Sequence, residues 1–295
     1  QPVSFLRADA ARVDSALGKM SLVEKLRRLL VVRVEPEDLD NEIFREVSEN
    51  YSLGGYLLQD FSVDSARRTI QYLRSQHPTS PLIGYHPIPT QSSIWPLPQG
   101  IALGHVEQEN VLHSIVENGV TAFSSLGAHF WVQEVPTGWL TRSNYRLFSE
   151  NYAQLTEEIQ AYSHLFALHA QDIYHPHKQD SLYRENCLLP LRRSVKMGLS
   201  TLILPATDLR TNRPVLHRAE YLHPYLKRQL KFEGLVILDF PDSLTQTDDW
   251  LEDFILSGAD VWMTSTNQVP SVIRGLQQMC QQGKWDLADL DERVK

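Results

Sequence analysis

Asp239 closes the apolar run Leu235-Val236-Ile237-Leu238 and is the residue in the chain best placed to do chemistry. A run this short and this continuously apolar suits a parallel strand buried on both faces. In parallel α/β sheets and barrels, ligands gather at the carboxyl ends of the strands. A carboxylate there costs folding energy unless it is paired or hydrated. Asp239 is therefore either a site residue or a helix-capping residue. Asp242, three positions on, would raise its pKa by like-charge repulsion if the two came close. A second concentration of chemistry lies at 169–180, HAQDIYHPHKQD, with His169, Asp172, His175, His177 and Asp180. Imidazoles and carboxylates in this mixture can ligate a metal. Pro176, however, restricts the backbone between His175 and His177, which makes a poor clamp. The segment reads instead as a solvated loop, or as a source of a proton donor through His175 or His177. No metal and no cofactor are expected. Trp95, Trp131, Trp139 and Tyr145 stand in or near irregular stretches and suit a carbohydrate-stacking surface, a protein interface or loop packing.

These residues need a scaffold, and the alternation of apolar runs with amphipathic segments supplies one. Eight short runs read as strands: Leu29–Val34, Leu53–Leu58, Pro81–Tyr85, Thr121–Ser125, Leu165–Ala170, Thr201–Pro205, Leu235–Leu238 and Asp260–Met263. Helical periodicity appears between them. Ser21 with Glu24 forms a capping box ahead of the Leu22, Leu26, Leu29, Leu30 stripe. Further helices are expected over Asn41–Asn50, Ser62–Ser75, Val106–Asn118, Ser149–His164, Arg184–Met197, Arg218–Leu230, Asp248–Leu256, Val269–Gln282 and Leu287–Lys295. Gly119, Gly198 and Gly258 are read as helix stops. A loop is expected over Gly127–Asn144, carrying His129, Trp131, Glu134 and Trp139. Strands alternating with helices every ~25 to 40 residues predict a single-domain (β/α)8 barrel of the TIM type. The alternative is an open doubly wound sheet. The absence of a G-x-G-x-x-G segment after any strand weakens its nucleotide-binding form.

Composition agrees with one globular barrel. The 295 residues are 42% hydrophobic and 22% charged, and the formal net charge of −8 does not suit a nucleic-acid partner. No apolar run reaches the ~18 to 20 residues that span a bilayer, so no transmembrane segment is expected. Cys187 and Cys280 lie far apart and read as small buried hydrophobes rather than a disulfide. Residues 1–19 are expected to form an N-terminal helical extension of a barrel that occupies 1–295. Gln1 and the lack of a signal peptide suggest a mature or trimmed chain, and the end near 295 falls within a helix, as though more protein followed.

Several motifs resemble the N-terminal barrel of glycoside hydrolase family 3, in particular its bacterial β-N-acetylglucosaminidase branch. MSLVEKLRRLLVV is similar to that family's opening helix and first strand, LGGYLLQ to its diglycine second strand, and PLIGYH to an apolar run ending in Gly-x-Asp. LPQGIALG resembles its Phe-Pro…Leu-Gly segment, and RLFSEN its Arg-Ser-Phe-Gly-Glu-Asp. LKFEGLVILD resembles Leu-Gly-Phe-x-Gly-x-x-x-Ser-Asp, and LSGADVWM resembles Ala-Gly-Ala-Asp-x-x-Leu. The resemblance implies a retaining glycosidase, with a nucleophile and an acid/base about 5 Å apart. Asp239 matches the nucleophile. The acid/base would be a His in an Asp-Ser-His motif, which here reads Asp180-Ser181-Leu182. Leucine cannot transfer a proton. The family's Lys-His pair on strand five is reduced to Leu168-His169, and its strand-three Asp is replaced by His86. Its Phe-x-Pro-x-x-Asp stretch is read in FSSLGAHF, without a carboxylate. Arg146, His169, His86 and Asp180 remain as substrate-binding positions. The resemblance thus implies a pseudo-hydrolase, a carbohydrate-binding or scaffold module of a bacterial cell envelope, periplasmic or exported. Its partner would be an N-acetylglucosamine-containing glycan or another protein or domain. The alternative is an active retaining β-N-acetylhexosaminidase or β-glycosidase, with Asp239 as nucleophile and a non-standard acid/base from 169–180.

Overall fold

A computed structural model of the chain describes residues 10–77, 80–86, 106–134, 142–161, 165–169, 181–208, 213–214, 223–241 and 248–295. Eight parallel strands close into a barrel: β1 (Leu30–Val34), β2 (Gly55–Gln59), β3 (Leu82–His86), β4 (Phe130–Glu134), β5 (Leu165–His169), β6 (Thr201–Pro205), β7 (Leu235–Asp239) and β8 (Val261–Ser265). Each strand pairs with its neighbours in sequence, and β8 closes on β1 through Leu30 opposite Trp262. A two-residue ribbon, Thr207–Asp208 against Arg213–Pro214, follows β6. The expected (β/α)8 barrel is the fold observed.

The helices around the barrel are α1 (Ala10–Leu17), α2 (Leu22–Arg28), α3 (Glu42–Asn50), α4 (Val63–Gln76), α5 (Glu109–Leu126), α6 (Arg142–Ala161), α7 (Ser181–Lys196), α8 (Asp248–Ser257), α9 (Val269–Gln281) and α10 (Leu287–Val294). Local sequence explains their ends. The Ser21–Glu24 capping box opens α2 as expected. Gly258 follows α8 at φ +69°, a left-handed conformation that costs glycine little. At α10, the Arg293 guanidinium donates to the carbonyls of Ile255 at 2.6 Å and Ala259 at 2.8 Å, so it satisfies the orphan acceptors that end α8.

The largest difference from the sequence reading is at the fourth strand. Thr121–Ser125 is not a strand. It lies in α5, which runs through Gly119 and ends only at Gly127, at φ +78°. The reason is periodicity. Leu112, Val116, Val120, Phe123 and Leu126 are all buried and recur every three or four residues, one continuous helical stripe. An interior glycine costs a helix about 1 kcal/mol, which that burial outweighs. The true fourth strand, FWVQE, falls within the expected loop 127–144. Trp131 is consequently not a surface aromatic. It is fully buried and stacks on Phe123, with centroids 5.8 Å apart. FSSLGAHF is the end of α5 and the approach to β4, so no site carboxylate is missing there. The expected helix at 218–230 is described only as a π-helical segment, His223–Gln229. The helix expected from Ser149 begins earlier, at Arg142. Cys280 is a free, partly buried thiol whose pKa burial raises. Cys187 lies in α7.

The barrel interior is filled by side chains in layers. Val31, Leu57, Phe130, Val132, Ala167, Ile203, Ile237, Val261 and Met263 form one apolar cluster, separate from the larger core between strands and helices. Strand alternation sorts them. Val31, Gly84, Ala167 and Ile237 come from odd strands; Leu57, Val132, Ile203 and Met263 come from even strands. Gly84 is required because the Phe130 ring fills the space its side chain would take. Gly84→Ala is expected to destabilise the barrel by about 1–3 kcal/mol through overpacking. Thermal denaturation should show a lowered midpoint that the second change Phe130→Leu partly restores.

Candidate functional site

Moving two residues toward the carboxyl end of each odd strand, from Val31, Gly84, Ala167 and Ile237, gives Arg33, His86, His169 and Asp239. This is the next layer of the barrel, and it is entirely polar. It sits on the apolar plug at the end where barrel active sites form. No single segment of the sequence contains these four residues; the strand register brings them together.

Their geometry is specific. Arg33 Nη1 lies 2.5 Å from Asp239 Oδ1, and Arg33 Nη2 donates to the Phe240 carbonyl at 3.2 Å. The two charged side chains are 15% and 14% exposed, so this is a largely desolvated ion pair. The backbone of Asp239 is fixed as well: Ala206 N–H donates to its carbonyl at 2.8 Å, and Phe240 N–H donates to Met263 at 2.9 Å. The other carboxylate oxygen, Oδ2, is 3.8 Å from His169 Nε2. That exceeds hydrogen-bond length. His86 meets His169 edge to face, with ring centroids 6.2 Å apart.

Both imidazoles are held neutral. His86 is 8% exposed, and burial lowers its pKa to about 4. His169 is 12% exposed and is lowered to about 3, first by burial and then by His86 and Arg33. At neutral pH the layer therefore contains one cation, one anion and two neutral rings. Neutral imidazoles can donate and accept hydrogen bonds to hydroxyl or amide groups. Neither can serve as a strong proton donor near pH 7, because a general acid works best with a pKa near the operating pH.

Of the residues expected from sequence, Asp239, His169 and His86 share this layer. Arg146 falls within α6, but its side chain is outside the described residues, as are Asp172, His175, His177, Asp180 and Asp242. Leu182 stands in the first turn of α7. Leu168 packs in the core between strands and helices, on the opposite face of β5 from His169. Among the described residues no group of three or more His, Cys, Asp or Glu side chains could hold a metal ion.

Arg33 was not anticipated from the sequence. Its signal was present: it is the one charged residue in the run Leu29–Val34, at the spacing that places it in line with Val31. Glu134 is a second position that the misplaced fourth strand concealed. It ends β4, and its backbone lies in register with His169. Beside the mouth, the ends of β1 and β2 bring Glu35 and Asp60 near each other. Burial raises the pKa of both, assisted by Asp60 and Asp38 at Glu35 and by Glu37 at Asp60.

Proteins of known structure share this architecture. No family model matches the sequence, and no curated protein matches it either. Solved structures do. The β-glucoside phosphorylase BglX bound to 2FGlc superposes with a TM-score of 0.72 at 14% identity, over 96% of this chain and 59% of that one. LpqI of M. tuberculosis gives 0.71 at 15% identity, over 96% and 94%. The β-N-acetylglucosaminidase of Thermotoga maritima gives 0.71 at 15%, over 91% and 65%. The chain thus spans about three fifths of the phosphorylase and nearly all of LpqI. The fold is that of the glycoside hydrolase family 3 N-terminal barrel, as the motifs implied.

Proposed function

We propose that this barrel is a pseudo-hydrolase that uses a glycosidase-type mouth to bind carbohydrate or to hold a partner, without cleaving a glycosidic bond. One observation carries the reading. Asp239, which stands where the family resemblance implies a nucleophile, is tied to Arg33 at 2.5 Å. A carboxylate engaged by a guanidinium in a desolvated site is a weakened nucleophile, because the attack would have to break that pair. The nearest described imidazole, His169, is neutral and weakly basic, so it does not supply the leaving group with an acid. General acid help is typically worth about 10² to 10⁴-fold. Two neutral imidazoles and an internally balanced ion pair suit an uncharged, hydroxyl-rich ligand, and the resemblance points to an N-acetylglucosamine-containing glycan of a bacterial cell envelope. No helix among the described residues is long and apolar enough to cross a membrane.

The test is turnover of 4-nitrophenyl β-N-acetylglucosaminide. The expected result is no release of nitrophenolate above the buffer rate. Release that vanishes in Asp239→Asn would overturn the reading. A second reading, an active retaining glycosidase, draws on the 3.8 Å approach of His169 Nε2 to Asp239 Oδ2 and on the position of Glu134 at the end of β4. It requires a proton donor about 5 Å from Asp239. The same assay decides between the two.

A further inference from the structure

We propose that a cavity between α3 and α4, on the outer wall of the barrel, binds a small aromatic carboxylate. The rings of Phe44 and Tyr72 take its body, and the guanidinium groups of Arg45 and Arg68 take its charge. The site goes beyond the pseudo-hydrolase reading, since none of its residues belongs to the polar layer around Asp239. The cavity has a volume of about 290 Å³ and is lined by Leu39, Phe44, Arg45, Arg68, Thr69 and Tyr72. Leu39 comes from the 3-10 turn Pro36–Asp40, Phe44 and Arg45 from α3, and the other three from α4. Two contacts between the helices fix the apolar wall. The Phe44 and Tyr72 rings have centroids 6.4 Å apart and planes tilted by 41°. The Tyr72 hydroxyl is hydrogen-bonded to Ser48 Oγ at 3.2 Å. Phe44 is 2% exposed, so this wall is anchored in the core.

The lining divides by chemistry. Thr69 Oγ1 donates to the Ser65 carbonyl at 3.0 Å, so both hydroxyls of the lining already have partners. The two guanidinium groups do not. Arg45 and Arg68 are exposed, and neither has a hydrogen-bond or ion-pair partner among the described residues. The acid in the first turn of α4 is taken by the neighbouring arginine: Asp64 lies 3.5 Å from Arg67. Two unmatched guanidinium groups on an apolar cavity match an anion that carries an apolar body. Size narrows the body. The cavity is at the lower edge of the ~300 to 1,000 Å³ of small-molecule sites, room for about one or two rings but not for an oligosaccharide or a long acyl chain. A flat ring also suits the two aromatic side chains, which favour offset and edge-to-face contacts. Charge narrows the head group. Glu42, Glu46 and Glu49 stand exposed on α3, in a chain of formal net charge −8, so the surrounding field favours a carboxylate monoanion over a phosphate dianion.

The experiment is a ligand-observed NMR titration of the full chain with 2-naphthoate. The neutral analogue 2-naphthalenemethanol supplies the rings without the charge, and inorganic phosphate supplies the charge without the rings. Wild type is expected to bind 2-naphthoate with a Kd of about 1 mM, because exposed ion pairs add little in water and so small a ligand has few atoms to contribute. The double variant Arg45→Gln, Arg68→Gln is expected to weaken that affinity about 5-fold, and the alcohol is expected to bind wild type weaker than naphthoate by a similar factor. Both arginines are exposed, so the variant keeps its fold. Arg274→Gln, which removes an exposed arginine from α9, is expected to leave the affinity unchanged. Absence of saturable binding to wild type overturns the proposal. So does an affinity that the double variant leaves intact, or that Arg274→Gln lowers equally. Alcohol or phosphate bound as tightly as naphthoate would overturn the assignment of an aromatic carboxylate. Turnover at Asp239 has no bearing on any of these outcomes.

Discussion

Arg33→Met is expected to lower folding stability by about 3–5 kcal/mol, because it removes the guanidinium that pairs with the Asp239 carboxylate in a site where only 14% of that side chain is exposed. The cost comes from the lost guanidinium and not from lost volume, since methionine fills much of the space of an arginine stem. The double change Arg33→Met with Asp239→Leu removes both charges and should recover most of the loss, because a buried ion pair replaced by apolar groups of similar size is often close to neutral. Denaturant titration of the two single variants and the double variant gives the coupling. Additive effects, with the double variant as unstable as the sum of the singles, would mean that the pair does not hold the layer together. A loss of this size is a large fraction of the 5–15 kcal/mol that typically separates folded from unfolded domains.

Acid should act on the same layer. His86 and His169 have folded-state pKa values of about 4 and about 3, against an ordinary value of 6.5. The folded values are depressed, so between pH 6.5 and about 4 the unfolded chain binds protons that the folded protein refuses. Stability is therefore complete above pH 6.5 and falls as the pH drops through that window. Each histidine contributes a slope of about 1.4 kcal/mol per pH unit. Together they amount to several kcal/mol at pH 4.5, before any carboxylate is counted. The double variant His86→Gln, His169→Gln should lose that slope while keeping the carboxylate part of the acid limb. Stability measured by urea titration at intervals from pH 7 to 4.5 checks it. Parallel curves for wild type and the double variant would show that the imidazoles are solvated rather than buried. His77 adds in the same direction through its own burial-lowered pKa, and it is present in both proteins.

Much of the fold was legible in the sequence because barrel strands announce themselves. A parallel strand buried on both faces must be almost wholly apolar, so Leu235–Leu238 and Thr201–Pro205 stand out at nearly their observed limits. The fourth strand is hard to read from sequence because FWVQE ends in Gln133 and Glu134 and follows an 18-residue helix whose second half carries Val120, Phe123 and Leu126. The run Thr121–Ser125 looked like a strand because a short apolar run cannot be told from a buried helix face by composition. Gly119 added a false stop, although glycine inside a well-packed helix is tolerated.

The site was legible in part for a different reason. Asp239 could be found because a carboxylate at the end of an apolar run has few structural uses. His86 and His169 came from motif resemblance, and the strand register then placed them in one layer with Asp239. Arg33 escaped because its partner lies 206 residues away and nothing local advertises the contact. Its position two residues after Val31, on an inward-facing strand register, is a signal that a layer-by-layer reading of the eight strands would detect.

If the barrel is a pseudo-hydrolase, Asp239 is held as an ion-paired carboxylate and does not attack an anomeric carbon. The most direct measurement is the intact mass of the protein after long incubation with 2,4-dinitrophenyl 2-deoxy-2-fluoro-β-glucoside. Dinitrophenolate departs without a proton, so this reagent asks only whether a nucleophile is competent and is indifferent to a missing acid. An unchanged mass is expected for the wild-type chain. A single glycosyl adduct that maps to Asp239 and is absent from Asp239→Asn would contradict it.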